Sequence, residues 1–170
     1  MLKAVKLLFP EFHNLVSIDY SSKEIMLKVV QEFGFLLKFA SEELKNDRDI
    51  VLNAVKSDGL LIEFASSYLQ NDREIALEAI KQNGSALKFV SPNLKKTKDF
   101  VLTAVNQNGF ALQHASKELK NDREVVMTAV RRNGYALEFA DAMLKRDQEI
   151  IFEAINQIND AFVGASKELL

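Results

Sequence analysis

The stretch that decides the fold is ALQHASKELKNDREVVMTAVRRNGYALEFA, residues 111–140. Its two ends share the pattern A-L-x-x-A, first at Ala111 and again at Ala136, 25 residues later. Five of the six glycines keep this spacing in both directions, and one leucine column keeps it in every copy. These columns are Gly34, Gly59, Gly84, Gly109 and Gly134, and Leu44, Leu69, Leu94, Leu119, Leu144 and Leu169. The chain is therefore a tandem array of one 25-residue unit that recurs about six times.

Each unit opens with the signals of a helix N-terminus. A column of Ser, Thr or Asp can accept hydrogen bonds from the free N–H groups of a first helical turn. Its members are Ser22, Asp47, Asp72, Thr97, Asp122 and Asp147. Two residues later an acidic column places negative charge at the positive end of the helix dipole. That column is Glu24, Asp49, Glu74, Asp99, Glu124 and Glu149. Together they predict a helix of about three turns in every unit.

The periodic glycine predicts where this helix ends. A glycine just past the last helical residue commonly adopts the left-handed conformation. Asn159, at the next 25-residue step, tolerates that conformation better than most residues. A second, shorter helix is expected after the glycine, followed by one helical turn capped by Ser41, Ser66, Ser91, Ser116, Asp141 or Ser166. No stretch alternates with period two, so we expect no β-sheet.

A 25-residue unit cannot bury its own apolar face, so the copies must stack and share a core. The sequence therefore predicts an all-α solenoid that forms a single repeat domain over residues 1–170. A degenerate partial repeat is expected at 1–21, and full repeats at 22–46, 47–71, 72–96, 97–121, 122–146 and 147–170. Met1 aligns with a helix interior and the chain finishes on Leu169-Leu170, which predicts end-to-end association or a place in a longer array.

Composition excludes several classes of function. With 48% hydrophobic and 27% charged residues, the chain is typical of a folded protein. A net charge of −2 gives no bulk attraction to nucleic acid or acidic membranes. The absence of cysteine excludes thiol catalysis and thiolate metal sites. The apolar run before Pro10 is too short to span a membrane, so we expect a cytoplasmic protein, or one delivered into a host cytosol without an N-terminal signal.

Residues for catalysis, for a metal or for a cofactor do not converge in the sequence. The two histidines are His13 and His114, and His114 occupies a column that is otherwise Phe. Members of the acidic column in neighbouring repeats would stand about 10 Å apart, too far to share an ion. The glycines follow helices and form no phosphate-binding loop. We therefore expect neither an enzyme nor a bound metal or cofactor.

A basic column makes a nucleic-acid-binding repeat the alternative function. It consists of Lys23, Arg48, Arg73, Lys98 and Arg123. Each member directly precedes an acidic residue, so most of its field is cancelled locally, and nucleic acid is the weaker alternative. Lys95-Lys96 and Arg131-Arg132 are small clusters that a solvated face also explains.

Helical solenoids usually offer an extended surface to another macromolecule, so a protein partner is the expected function. The residues that follow the glycines vary in type: they are Phe35, Leu60, Ser85, Phe110, Tyr135 and Asp160. Aromatic residues often anchor interfaces. The competing interpretation is structural, with Leu60 packing on Val55 and Tyr135 on Val130 at the end of each helix. The candidate partner-binding residues are Phe35, Leu60, Phe110, Tyr135, Arg131 and Arg132.

The recurring phrases ALEFADAMLKRDQEIIFEAI and ALQHASKELKNDREVVMTAV resemble the repeats grouped as domain of unknown function 4116. The N-D-R-E start, the N-G turn and the F-A-S-x-x-L end carry the resemblance, over nearly all of residues 22–170. Such repeats occur in proteins of intracellular bacterial pathogens, including secreted effectors, and in some protists. The resemblance implies short α-helical tandem repeats and supplies no catalytic or ligand-binding residues.

Overall fold

The computed structural model describes residues 22–168, and side chains as far as Asn159. The predicted partial repeat at 1–21, with Met1 and His13, and the terminal Leu169-Leu170 lie outside the described residues. One long α-helix occurs in each repeat. These helices are α1 (Lys23–Glu32), α2 (Arg48–Ser57), α3 (Arg73–Gln82), α4 (Lys98–Gln107), α5 (Arg123–Arg132) and α6 (Gln148–Glu168). The first five contain 10 residues each, as the predicted three turns require.

Two shorter elements follow each of the first five long helices. The first is a 3₁₀ helix that begins at the periodic glycine: Gly34–Phe39, Gly59–Phe64, Gly84–Lys88, Gly109–His114 and Gly134–Phe139. The second is a single helical turn: Glu42–Lys45, Leu69–Asn71, Leu94–Lys96, Lys117–Lys120 and Leu144–Arg146. Residues 22–168 contain no strand. The prediction of an all-α repeat solenoid is confirmed.

The aspartates of the first capping column begin the long helices as predicted. The Asp47 carboxylate accepts from the N–H groups of Asp49 and Ile50, at 3.1 and 3.2 Å. Asp72, Asp122 and Asp147 accept in the same way. Ser22 and Thr97 also occupy the N-cap position, but their side chains accept no capping hydrogen bond. The Thr97 hydroxyl instead donates to the carbonyl of Asn93 at 3.3 Å, which turns it away from the free N–H groups.

The second capping column joins one repeat to the next. Ser66 accepts from the N–H of Leu69 at 3.3 Å, and Ser41, Ser91 and Ser116 do the same in their repeats. The backbone N–H of Ser66 also donates to the carbonyl of Lys45 in the preceding repeat, at 3.0 Å. The same bond recurs from Ser91 to Gln70, from Ser116 to Lys95 and from Asp141 to Lys120. Ser166 does not begin a new turn, since it lies within α6.

One apolar core runs through all the described repeats. Each interior long helix is buried toward both neighbours; in α2, for example, Ile50, Val51, Ala54 and Val55 are all 0% exposed. A helix covered on both sides needs apolar residues around most of its circumference, which is the pattern the sequence has. The short elements close one side of the core with their own buried leucine column.

Close packing, and not the backbone conformation that was predicted for them, requires the periodic glycines. No described glycine has a positive φ, so the expectation of left-handed helix ends is wrong. A Cβ atom at Gly59 would overlap the backbone carbonyl of Ala79, which belongs to the long helix of the next repeat. Gly84, Gly109 and Gly134 face Ala104, Ala129 and Ala154 in the same way. Glycine is therefore required for close approach of neighbouring repeats rather than for backbone conformation.

Helices α2 to α5 end at a residue before the glycine whose side chain accepts a hydrogen bond, whereas α1 ends at Phe33 without one. The Asn108 side chain accepts from the N–H of Phe110 at 3.0 Å, and Asp58, Asn83 and Asn133 make the equivalent bond. Such a side-chain turn competes with continuation of the helix. Ile158 occupies this position in the last repeat and cannot accept a hydrogen bond. The predicted turn at Asn159 is accordingly absent, and α6 continues through it to Glu168.

Candidate interaction surfaces

A ladder of ion pairs links the first turns of successive long helices. Lys98 Nζ lies 2.7 Å from Asp122 Oδ2 and 2.8 Å from Glu124 Oε2, both in the next repeat. Lys23 pairs with Asp47 and Asp49, Arg48 with Asp72 and Glu74, and Arg123 with Asp147 and Glu149. Each cation thus contacts the N-cap and acidic columns of the following helix. We call this set of contacts the ion-pair ladder.

The contacts of the ladder lower the pKa values of Asp47 and Asp122 and raise the pKa of Lys98. Partial burial alone would raise the pKa of Asp122, but hydrogen bonds from Lys98 and from the N–H of Val125 outweigh it and lower the pKa below 3.8. The pKa of Asp47 is lowered by the same balance between burial and hydrogen bonding, with Lys23 as the donating cation. The hydrogen bond to Asp122 in turn raises the pKa of Lys98 above 10.5. These charges remain fixed across the neutral range, so the ladder is a structural feature rather than an acid–base site.

The contacts of the ladder determine how available the basic column is to a nucleic-acid backbone. Four of the five predicted basic-column residues contact carboxylates, and the fifth, Arg73, lies 5.0 Å from the ring centroid of Phe100. A phosphate would have to compete with these carboxylates for each cation. The structure therefore leaves the basic column poorly suited to bind a nucleic-acid backbone.

The residues after the glycines form a row along the short 3₁₀ helices. Phe35, Phe110 and Tyr135 are 41%, 37% and 55% exposed. Leu60 is half-buried and packs against the core, so the structural interpretation holds for this residue. Ser85 accepts a hydrogen bond from Asn108 at 2.9 Å. The Phe110 ring packs edge-on against Phe139 of the next repeat, with centroids 6.1 Å apart, and leaves its other side to solvent.

Arg131 and Arg132 contact the neighbouring long helices. Both are exposed in the last turn of α5. Arg131 Nε lies 3.8 Å from Glu153 Oε1, and Arg132 donates to Asn106 Oδ1 at 3.1 and 3.2 Å. Arg131 lines a shallow hollow between α5 and α6 whose other walls include Glu124 and Glu149. The contacts of Arg132 and Arg131 are thus with the neighbouring long helices, α4 and α6.

His114 lies half-buried among cations. Burial first, and then the charges of Lys95, Lys88 and Lys120, lower the pKa of His114 below 6.5, so its imidazole is neutral at neutral pH. Lys95 itself donates to the backbone carbonyl of Lys88 at 2.6 Å. No group of three or more potential metal ligands occurs among the described residues. No helix of that part of the chain is long and apolar enough to cross a membrane.

An apolar concavity lies at the last described repeat, and we call it the end groove. It has a volume of about 430 Å³ and is lined chiefly by Tyr135, Leu137, Ile151, Ala154, Ile155 and Ile158. Ile155 is 50% exposed, whereas its equivalents Val30, Val55, Ile80, Val105 and Val130 are all 0% exposed. Phe152 beside it is 65% exposed, against 6% for the equivalent Met127. The end groove is thus an inter-repeat interface without a covering repeat among the described residues.

Stacked units joined by the ladder, the backbone bonds and the glycine contacts define an all-α tandem-repeat protein. The chain belongs to the repeat family described as Domain of unknown function (DUF4116), whose model matches residues 22–70, 47–95, 97–145 and 122–170. The predicted resemblance is confirmed. Neither a curated protein nor a solved structure matches the chain.

Two features of these surfaces were missed by sequence reasoning although the sequence contains their signal. Each residue of the basic column is followed by an acid 26 residues later, and four of the five by an aspartate at 24 residues. That spacing identifies the partner as the next repeat rather than the adjacent residue. The end groove is signalled by Ile155, a core-column residue in a repeat that lacks the glycine.

Proposed function

We propose that the chain is a non-catalytic scaffold that binds a protein partner through the row of residues after the glycines. The observation that carries the proposal is the exposure of Phe35, Phe110 and Tyr135 at 41%, 37% and 55%. Large aromatic side chains that keep an apolar surface in water are typical anchors of protein interfaces. Their attachment to short helices of a rigid stack holds them at fixed positions before a partner binds.

Two further exposed apolar residues extend the proposed contact surface. Tyr68 and Met143, which are 75% and 71% exposed, directly precede the helical turns Leu69–Asn71 and Leu144–Arg146. The cations of the ladder, by contrast, are engaged with carboxylates. This distribution favours an apolar protein contact over an ionic one, and so favours a protein partner over the nucleic-acid alternative.

The test replaces Phe110 and Tyr135 together by Ser and measures partner capture from cytosolic extract by quantitative mass spectrometry. Loss of the captured protein by about tenfold or more is expected, because removing interface anchors commonly costs at least 1–2 kcal/mol. Unfolding by urea is measured in parallel. If the double variant loses stability but captures the partner as before, the row has only a structural role.

A matched control keeps the experiment specific. Replacing Arg131 and Arg132 by Ser removes two exposed side chains of α5, whose contacts are with α6 and α4, and leaves the aromatic residues of the row unchanged. We expect capture to be retained in that variant. A variant that lost capture equally would move the binding surface to the long helices and overturn the assignment to the row.

The place of action we propose is a cytosol, either of the producing cell or of a host into which the protein is delivered as an effector. Absence of cysteine agrees with a reducing compartment. The family resemblance is the support for an effector role. End-to-end self-association stays a prediction, which sedimentation over a wide range of protein concentrations tests.

A further inference from the structure

Three lysines of the short elements differ from the cations of the ladder in having no carboxylate partner. Lys88 and Lys95 belong to the 3₁₀ helix and the helical turn of the third full repeat, and Lys120 to the helical turn of the fourth. Among residues 22–159 none of these three lysines forms an ion pair with a carboxylate, whereas the ladder cations all do. Their positive charge can therefore be used by an anion from outside the chain.

These three lysines meet around His114. Burial and then their charges lower the pKa of its imidazole. Lys88 and His114 occupy the positions equivalent to Lys38 and Phe64, where the ammonium nitrogen lies 5.9 Å from the ring centroid across a junction between repeats. The ammonium group of Lys95 is held close by, since it donates to the carbonyl of Lys88 at 2.6 Å. We call the three lysines and His114 the lysine patch.

The lysine patch is strongly positive but short. Apart from Lys98 and Asp99 at the start of α4, residues 84–121 contain five lysines and a single acid. In the column of Lys88 the patch is bounded by Glu63 in the second repeat and by Glu138 in the fifth, and both glutamates are exposed. At about 10 Å for each packed repeat, the two repeats between them give a positive stretch of about 20 Å.

The patch and the row of residues after the glycines contact the same column of rings. Phe110 of the row packs against Phe139, with centroids 6.1 Å apart. Lys88 Nζ lies 5.1 Å from the ring centroid of Phe89. Phe89, His114 and Phe139 occupy one column in three successive repeats. A segment that follows this column can therefore contact both an aromatic residue of the row and the lysines.

We propose, on the basis of the proposed function, that the segment of the protein partner that binds the row is acidic, and that its carboxylates pair with Lys88, Lys95 and Lys120. The exposed rings provide most of the affinity, whereas the ion pairs select and orient the segment. An extended peptide of about six residues spans the patch, at about 3.3 Å for each residue. A nucleic-acid duplex, with one charge for about every 1.7 Å, extends past both ends of the patch and meets Glu63 and Glu138.

Peptide binding tests the need for negative charge directly. Fluorescence anisotropy compares a labelled peptide of alternating Glu and Leu with the same peptide in which Gln replaces every Glu. We expect the acidic peptide to bind about tenfold more tightly at low salt, as three surface ion pairs together would provide. This preference should shrink as the salt concentration is raised, because salt screens exposed charges.

The double variant Lys95→Gln with Lys120→Gln removes two of the three charges and keeps a side chain that the fold already accepts. Gln70 occupies the same column, and its amide donates to the carbonyls of Ile62 and Ala65 at 3.2 and 3.1 Å. The preference for the acidic peptide should fall to about twofold, the value that one remaining ion pair would provide.

Lys56→Gln with Lys81→Gln is the matched control. It removes two exposed charges from the last turns of α2 and α3, so the net charge of the protein changes by the same amount. The preference for the acidic peptide should be unchanged in this variant. An equal loss of preference in both double variants would reflect the charge of the whole protein and would overturn the assignment to the patch.

His114 reports binding at the patch itself. A carboxylate beside the imidazole favours its charged form, so the acidic peptide should raise the pKa of His114, and the glutamine peptide should not. Proton NMR of the imidazole at increasing peptide concentration measures this pKa. The variant His114→Phe, which introduces the residue found elsewhere in the column, identifies the His114 signal.

Two results overturn the proposal. One is equal affinity for the two peptides together with an unchanged pKa of His114. The other is a single-stranded DNA probe that binds through Lys95 and Lys120 more tightly than the acidic peptide does, which would make the patch a nucleic-acid site.

Capture from cytosolic extract separates this proposal from the proposed function. Capture that is lost with Phe110→Ser and Tyr135→Ser but retained with Lys95→Gln and Lys120→Gln would keep the row and contradict the acidic contact. Capture that is lost only in the lysine variant, together with the preference for the acidic peptide, would support the patch and contradict the row.

Discussion

The guanidinium of Arg73 lies 5.0 Å from the ring centroid of Phe100, at the one step of the described ladder where Thr97 replaces an aspartate. The neighbouring steps pair a cation with the N-cap aspartate and the following acid. A cation–π contact at this distance partly compensates for the missing carboxylate. Position 97 is therefore where the ladder can be improved.

Thr97→Asp should stabilise the protein by about 1 kcal/mol, because it supplies a capping acceptor that Thr97 does not. The urea midpoint of unfolding measures the effect. Thr97→Asn caps without adding charge, so the difference between the two variants isolates the ion pair with Arg73, worth at most about 1 kcal/mol at a surface. Equal urea midpoints for Thr97→Asp and the unchanged protein would show that the free N–H groups at the start of α4 gain nothing from a carboxylate at position 97.

Gly109→Ala should destabilise the protein by about 1–3 kcal/mol, the usual effect of overpacking. The new Cβ would overlap the Ala129 carbonyl, and backbone cannot move aside as a flexible side chain can. Gly109→Asn separates the two explanations of the glycine column. Asn should be at least as damaging as Ala if close approach is the reason, and nearly neutral if a left-handed helix end were the reason.

Acid should weaken the ladder in a defined direction. The pKa values of Asp47 and Asp122 are lowered in the folded protein, so their contribution to stability is present above the ordinary value of 3.8 and is lost as the pH falls through the folded values. The free energy of unfolding should therefore fall as the pH is lowered from about 5 toward 3. Asp122→Asn keeps a capping oxygen but removes the titration, so its stability should change less steeply with pH. Identical slopes would exclude Asp122 as a contributor.

We expect that the protein does not show the salt-sensitive binding of nucleic acid that free surface cations produce. Free cations release counterions from a phosphate backbone and give affinities that fall steeply with salt, whereas the ladder cations already contact carboxylates. Electrophoretic mobility shifts with single- and double-stranded probes at 50 and 200 mM salt check this. A different result would be a mobility shift that appears at low salt and is abolished in the double variant Arg131→Ser with Arg132→Ser. That result would assign nucleic-acid binding to these two exposed arginines of α5.

The periodic pattern was sufficient to predict the helical unit, its length and its stacking, because each column repeats one local requirement. The pattern was insufficient at positions where contact with a neighbouring repeat determines the residue type. Gly59 looks like a helix end in the sequence, and only the three-dimensional structure brings Ala79 against it. Of the candidate residues, Phe110 and Tyr135 are exposed, whereas Leu60 is half-buried and packs against the core, and their role in binding stays a prediction. The contact of Arg131 with Glu153 depends on how α5 and α6 pack, and charge alone could not indicate it.

The backbone bond from Ser66 to Lys45 joins residues 21 positions apart, and the side-chain bond from Arg132 to Asn106 joins residues 26 apart. Contacts of this kind never require distant parts of the chain to find each other, so folding can begin in any pair of adjacent repeats and spread outward. Duplication or loss of one whole unit would leave every remaining partner at its proper separation. A single inserted residue would displace all of them at one junction. The length of the repeat is thus the step by which such a protein can grow or shrink during evolution without refashioning its core.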